Sequence, residues 1–225
     1  LAREAKGEYV FDTPTGGVMA WSGDRLWVAR GSLVYASDIG NPFSFREQTY
    51  LGGTAAFTFP GDVTAMATTP GSVEVSQLLV YTRNTTHLVQ SNIRTRDLWP
   101  QTIDMSREIL RVGCVAPKSV TSHYGQMAWM SQDGFVTWDS SFATKRSARL
   151  PARDVEMAYS AVHMHDQLDS VCAGAYEKYI LMSVPSGDLY NNHTWVLNDA
   201  SLESLNDQSG PSWASIWVGT RPLEW

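Results

Sequence analysis

A β-hairpin pattern recurs four times along this 225-residue chain, and a unit repeated at near-constant spacing fixes architecture before any single residue is read. The copies are LWVARGSLVYASD from Leu26, LLVYTRNTTHLVQSN from Leu79, AWMSQDGFVTWDS from Ala128 and ILMSVPSG...HTWVLND from Ile180. Their starts are 53, 49 and 52 residues apart. That spacing matches the roughly 40 to 50 residues of a four-stranded propeller blade. Residues 26–36, 78–90, 127–138 and 180–197 are therefore expected to be antiparallel pairs in separate small sheets.

Each hairpin has a local cause. Arg30-Gly31, Asn84-Thr85 and Asp133-Gly134 sit between apolar, partly β-branched runs, and the glycines supply the positive φ of a tight turn. The fourth copy carries a longer loop from Ser186-Gly187, with the strand expected to resume at Thr194. One further strand precedes each hairpin, over residues 18–21, 63–67, 118–122 and 172–176, and in a propeller it lies nearest the axis. Residues 94–111 read as irregular, 201–210 as a loop and 212–218 as a Trp-rich strand. Val155, Ala158, Tyr159, Val162 and Leu168 follow an amphipathic spacing that predicts a short inter-blade helix over 152–168. The expected fold is an all-β β-propeller with four to five blades visible, spanning residues 17–225 and open to completion by further residues in a larger ring. Residues 1–16 are expected to be an N-terminal extension or linker. The first residue is Leu and no signal-peptide apolar region follows, so the chain is read as processed or as part of a longer polypeptide.

Composition narrows the function. The formal charge is −6, and basic residues concentrate only at Lys145, Arg146, Arg149 and Arg153. This argues against a dedicated nucleic-acid-binding face, which would be basic, but suits a wall that a polyanion slides past. No apolar run approaches the ~20 residues of a membrane-spanning helix. Cys114 and Cys172 have no CxxC partner and read as buried thiols. Most of the nine Trp and nine Tyr are assigned to packing between blades, the remainder to subunit interfaces.

No catalytic set, metal site or cofactor is expected. The best metal candidate is His163-Met164-His165-Asp166, yet two His at i and i+2 diverge on a strand and on a helix, so the segment is read as a solvated polar face. His87 and His123 are isolated in sequence. Asn84-Thr85-Thr86 and Asn192-His193-Thr194 match the glycosylation sequon and are read as turns. SQDGFVTW comes close to the Asp-box pattern S-x-D-x-G-x-T-W: Ser131, Asp133, Thr137 and Trp138 match, while the glycine stands one place early at Gly134. A sialidase-like or glycan-binding propeller is thus the first alternative, and a cellular scaffold propeller the second.

Four stretches in order, SDIGNPFSF (Ser37 to Phe45), GCVAPKSV (Gly113 to Val120), SQDGFVTW (Ser131 to Trp138) and NNHTWVLND running on to Trp213, resemble the β-propeller proteins of short-tailed bacteriophages, the tail nozzle and packaged-DNA-stabilising group. The resemblance covers about residues 17–218 and rests on order and spacing. It implies a structural virion protein without enzymatic chemistry, located in the tail or neck and assembled in the host cytoplasm. It further implies a homo-oligomer, a ring of six copies, that binds adjacent tail or neck proteins and lets double-stranded DNA pass during ejection. Residues 188–193 and 52–61 are the loops expected to carry partner contacts. In SDIGNPFSF, Ser37 or Asp38 is expected to bond nearby backbone N–H groups, Gly40 to take an unusual dihedral, and Phe43 and Phe45 to fold back onto the blade edge. Pro117 suits a strand entrance better than a strand interior.

Overall fold

The computed structural model describes residues 2–5, 8–11, 14–45, 56–71, 77–93, 98–99, 105–123, 125–132, 134–138, 143–145, 168–185, 190–198 and 213–218. The protein is all-β, and no α-helix occurs among the described residues. A two-stranded hairpin, β1 (Ala2–Ala5) and β2 (Glu8–Phe11), precedes four sheets of four strands each. The first sheet is β3 (Val18–Ser22), β4 (Arg25–Arg30), β5 (Leu33–Ala36) and β6 (Ala56–Thr58). The second is β7 (Val63–Thr68), β8 (Leu78–Thr82), β9 (Thr86–Val89) and β10 (Ser106–Leu110). The third is β11 (Thr121–His123), β12 (Gln126–Ser131), β13 (Gly134–Trp138) and β14 (Ala143–Lys145). The fourth is β15 (Cys172–Tyr176), β16 (Tyr179–Pro185), β17 (Asn191–Asn198) and β18 (Trp213–Val218). Every strand pairs antiparallel with its sequence neighbour, the up-and-down meander of a propeller blade. All four predicted hairpins are present, each in its own sheet.

The chain forms two compact units, Leu1–Gly113 and Cys114–Trp225, each containing two blades. In the first unit β3 and β7 run beside one another: the Thr68 hydroxyl donates to the Trp21 carbonyl at 2.7 Å, and the Ser22 and Ser91 hydroxyls meet at 2.6 Å. In the second unit β11 and β15 are neighbours. Contact between the first strands of consecutive sheets is what radial packing of blades requires. The cores follow the two-residue strand period. Trp27 and Ala29 of β4 pack with Leu78 and Val80 of β8, and Ala128 and Met130 of β12 pack with Ile180, Met182 and Val184 of β16. Both faces of β8 and β9 are buried, as a blade between neighbours should be.

Several expectations need correction. Residues 94–111 are not irregular throughout, since Ser106–Leu110 forms the outer strand β10. Its polar Ser-Arg-Glu composition is that of an edge strand protected by charge, which hides it from a hydrophobic pattern search. The strand sought at 118–122 begins only at Thr121, because Pro117–Ser119 forms a 3-10 turn with Pro117 at its start. The fourth hairpin resumes at Asn191, paired to Pro185 across a bulge, so Asn192-His193-Thr194 lies in a strand and not in a turn. Within the supposed loop 52–61, Ala56–Thr58 is the fourth strand of the first blade. The expected extension 1–16 includes the β1–β2 hairpin. The helix expected over 152–168 lies outside the described residues up to 167, and Leu168 opens a 3-10 turn, Leu168–Ser170.

Candidate functional surfaces

Ser37–Phe45 is a built loop. The Ser37 N–H donates to the Leu26 carbonyl and the Leu26 N–H to the Ser37 hydroxyl, at 2.8 and 2.9 Å, so Ser37 extends the β4–β5 pairing by one step. Asp38 N–H donates to the Ser44 carbonyl and Ser44 Oγ to Asp38 Oδ2, at 2.7 and 2.5 Å, closing the loop on itself. Gly40, with φ +67°, takes the left-handed conformation and donates its N–H to the Asp24 carbonyl. Asn41 Oδ1 accepts from the Phe43 N–H at 3.2 Å. Beneath the loop lies Arg25, one of the largest fully buried side chains, whose Nη1 donates to the Ser37 carbonyl at 2.7 Å and whose guanidinium lies 5.3 Å from the Trp99 ring centroid. Trp99 in turn stacks on Trp27 at 5.7 Å. Phe45 folds back and is 1% exposed, whereas Phe43 projects at 78%, so only one of the two phenylalanines meets the expectation.

Gly113–Val120 is used differently. β11 is short and pairs with β12 only as far as Ala128, leaving the inner edge of β12 open at Met130. The motif fills that edge: Val115 N–H donates to the Met130 carbonyl at 3.0 Å, and Met130 N–H donates to Ser119 Oγ at 2.8 Å. The Ser119 N–H, the Ser119 hydroxyl and the Cys114 thiol all point at the Ala116 carbonyl, at 3.0, 2.7 and 3.1 Å. Burial pushes the Cys114 thiol up to about 12, so it stays protonated and inert at neutral pH. Cys114 and Cys172 are both buried and form no disulfide, as the sequence implies.

The hairpin turns of the second and third blades share a device that the sequence reading missed. A hydroxyl on the last residue of the first hairpin strand faces the carbonyl three residues on: Thr82 that of Thr85 at 3.3 Å and Ser131 that of Gly134 at 2.7 Å. The shared signal is Ser or Thr at the strand end, a local side-chain turn that completes what the Asn-Thr pair cannot do alone. Ser131 of the Asp-box-like stretch is thus a turn former; Asp133 lies outside the described residues. Beside the Thr82–Thr85 turn is an open depression of about 510 Å³ lined by Pro60, Gly61, Asp62, Thr64 and residues 82–85.

The two histidines have opposite roles. His87, 7% exposed, sets Nε2 2.9 Å from Thr85 Oγ1 and its ring edge-on to Phe59 at 5.1 Å. Loss of hydration holds it below its ordinary 6.5, against the smaller opposing pull of Glu108. His123 sets Nε2 against the Glu177 carbonyl in the β15–β16 turn, where Glu177 has φ +49°. A carbonyl only accepts, so His123 must donate there.

His163, His165, Asp166, Arg146, Arg149 and Arg153 lie outside the described residues, and Lys145 ends β14. Among the described residues no group of three His, Cys, Asp or Glu side chains converges to hold a metal ion. Among them, too, no helix is long and apolar enough to cross a membrane.

No known protein family matches the chain, and no curated protein matches it. Solved structures give weak likenesses. BBS1N, in a complex with ARL6DN, aligns at TM-score 0.46 and 11% identity over 89% of this chain and 52% of its own. A chain of the Chaetomium thermophilum Nup82 NTD-Nup159 TAIL-Nup145N APD complex aligns at 0.47 and 16%, over 83% and 43%. Apo AztD from Citrobacter koseri aligns at 0.47 and 15%, over 97% and 52%. The chain spans about half the length of each of these chains, and none of the three is described as a tail protein. At such TM-scores the likenesses carry no argument, and the blade architecture rests on the sheets themselves.

Proposed function

We propose that the chain is a structural virion protein of a short-tailed bacteriophage, a wall element of a tail nozzle or head-to-tail conduit for DNA. The observation that carries the reading is the succession of tail-type motifs along the sequence, with their polar groups committed within the fold: Ser37 and Asn41 accept from backbone N–H groups, Asp38 accepts from the Ser44 hydroxyl, and Ser119 completes the edge of β12. Groups held this way build a rigid blade and are withdrawn from chemistry. Four-stranded blades stacked face to face expose few edges and resist deformation. Six copies in a ring would enclose a channel, and a chain of charge −6 would not grip phosphates as a basic wall does. Outward loops would bind the adjacent tail or neck proteins.

Electron cryo-microscopy of the native particle tests this. The expected result is a sixfold ring of this chain around a lumen wide enough for duplex DNA, neutral or acidic overall. Absence of the chain from purified particles, a peripheral monomer, or a lumen lined mainly by Lys145, Arg146, Arg149 and Arg153 would overturn the conduit. Turnover of a glycoside by the purified monomer would favour the sialidase-like alternative.

A further inference from the structure

The Thr82–Thr85 turn contains a hydrogen-bond chain whose direction is determined by counting lone pairs. Thr82 Oγ1 accepts the N–H of Thr85 at 3.0 Å and of Asn84 at 3.3 Å, which fills both lone pairs of a hydroxyl oxygen. Its own proton must therefore go outward, and Thr85 Oγ1 at 2.7 Å is closer than the Thr85 carbonyl at 3.3 Å. The Thr85 proton then points at His87 Nε2, 2.9 Å away, which must be the unprotonated ring nitrogen. The chain runs one way, from two backbone donors through two hydroxyls into an imidazole acceptor.

We propose that His87 is a proton-operated latch on this turn: neutral, it fixes the turn by accepting from Thr85, and protonated, it reverses the hydroxyl chain and releases the Asn84 N–H, remodelling the depression that the turn lines. With a proton on Nε2 the imidazolium donates to Thr85 Oγ1, and the Thr85 hydroxyl turns toward Thr82. Three donors then compete for two lone pairs on Thr82 Oγ1. The longest bond, from Asn84, yields, and the exposed Asn84 turns to water. The depression changes with it, because Thr82, Arg83, Asn84 and Thr85 form one wall and Pro60, Gly61, Asp62 and Thr64 the other.

The surroundings of His87 favour the neutral ring at neutral pH. From β10 it faces Glu108, its register partner, which is tied to Arg111 at 3.5 Å and flanked by Arg107. From β8 it faces the apolar Val80, and from the segment after β6 the ring of Phe59, with Asp62 at the rim of the depression. Its own turn carries Arg83. Burial lowers the ring's proton affinity and Glu108 partly restores it, so the latch is engaged above the ordinary 6.5 of a free imidazole and opens as pH falls below it through the lowered value. His123 offers the internal contrast. Its Nε2 already donates, to the Glu177 carbonyl, and plays no acceptor role there.

Amide hydrogen exchange on the full chain, corrected for intrinsic rates, combined with nuclear magnetic resonance of the His87 ring between about pH 7.5 and about pH 5, tests the proposal. Protection at Asn84 is expected to fall roughly tenfold in step with His87 protonation, the scale of one lost hydrogen bond, while the ladder amides of Tyr81 and Leu88 hold. His87→Gln, which keeps an acceptor that does not titrate, should fold and give a flat profile. Thr85→Val, which removes the hydroxyl that would turn toward Thr82 but leaves the Asn84 acceptor in place, should keep Asn84 protected at every pH. The proposal is overturned if His87 titrates without change at Asn84, if His87→Gln keeps the same pH dependence, or if the ring stays neutral until the chain unfolds.

Discussion

Ser37–Phe45 and Gly113–Val120 are both short, turn-forming motifs with one proline, yet they differ in where they leave their apolar side chains. The second directs Cys114, Val115, Ala116 and Ser119 into the protein, and its 3-10 turn substitutes for a missing length of strand on β12. The first closes a surface loop over buried Arg25 and leaves Phe43 in water, with Ile39 of the same motif partly exposed. One motif completes a blade; the other holds an apolar side chain outside it at fixed geometry. Turn residues such as Asp, Asn, Gly and Pro say how the backbone bends, and only the neighbouring strands decide whether the bend faces in or out.

Removing the support under each motif breaks the comparison most directly. Arg25→Ala deletes a fully buried side chain, its bond to the Ser37 carbonyl and its place against Trp99. A loss of about 2–5 kcal/mol is expected, the range for a large buried side chain cut to alanine. Arg25→Lys should lose less, because the stem still packs while the planar contact with Trp99 goes. Ser119→Ala comes next. It strands the Met130 N–H inside the second unit, at a cost of about 1–3 kcal/mol. Urea unfolding of both variants ranks them, and a Ser119→Ala loss exceeding that of Arg25→Ala would invert the order of support argued above.

How far the sequence revealed these regions depends on which signal carried them. Hairpins such as 127–138 were legible because alternating apolar residues around a glycine turn specify a strand pair without help from the rest of the chain. Outer strands were not. Ser106–Leu110 looks like a loop because its partner is on one side only, so its outward residues are polar, and Ala56–Thr58 is too short to show a period. The 118–122 strand failed for a related reason, since Pro117 and Ser119 belong to the turn that replaces it. Within the sites, the buried state of Cys114 followed from residue type. The exposure of Phe43 did not, because Phe43 and Phe45 are equivalent in sequence and separate only in three dimensions. The role of His87 depends on Thr82 and Thr85, whose hydroxyls sequence reading treats as interchangeable turn residues.

Cys114 sharpens the inward half of the comparison through pH. Its thiol ionises at about 12 in the folded protein against an ordinary 9.0, so the folded state keeps the proton that the unfolded state gives up. The sign is fixed by linkage: this contribution is complete below 9.0 and is lost progressively as pH rises toward 12. The alkaline limb of a stability–pH profile should therefore slope downward above 9.0 and flatten in Cys114→Ala, each curve taken relative to its own neutral-pH value. An alkaline limb of equal slope in both proteins would place the thiol nearer to water than the structure does. Thiol labelling should agree, with both cysteines unreactive until the chain unfolds.

The smallest effect on stability, and the most pointed test of the outward half, is Phe43→Ser. Phe43 is 78% exposed, and its only described tie is a backbone N–H to Asn41 Oδ1, which a serine backbone keeps. Truncation should change stability by no more than roughly 0.5 kcal/mol, the scatter of surface substitutions away from special features. The matched change Phe45→Ser, at a side chain 1% exposed, should be far more damaging, so the pair reads out inside against outside two residues apart. An exposed aromatic on a hydrogen-bonded loop spares the backbone part of the ordering cost on binding, which suits an interface anchor. If the chain is a tail component, Phe43→Ser should fold normally and enter particles poorly, measured as the ratio of this chain to capsid protein in purified virions. Normal folding with full incorporation would leave the outward phenylalanine without an assembly role, and loss of folding would show that it packs against residues of its own chain.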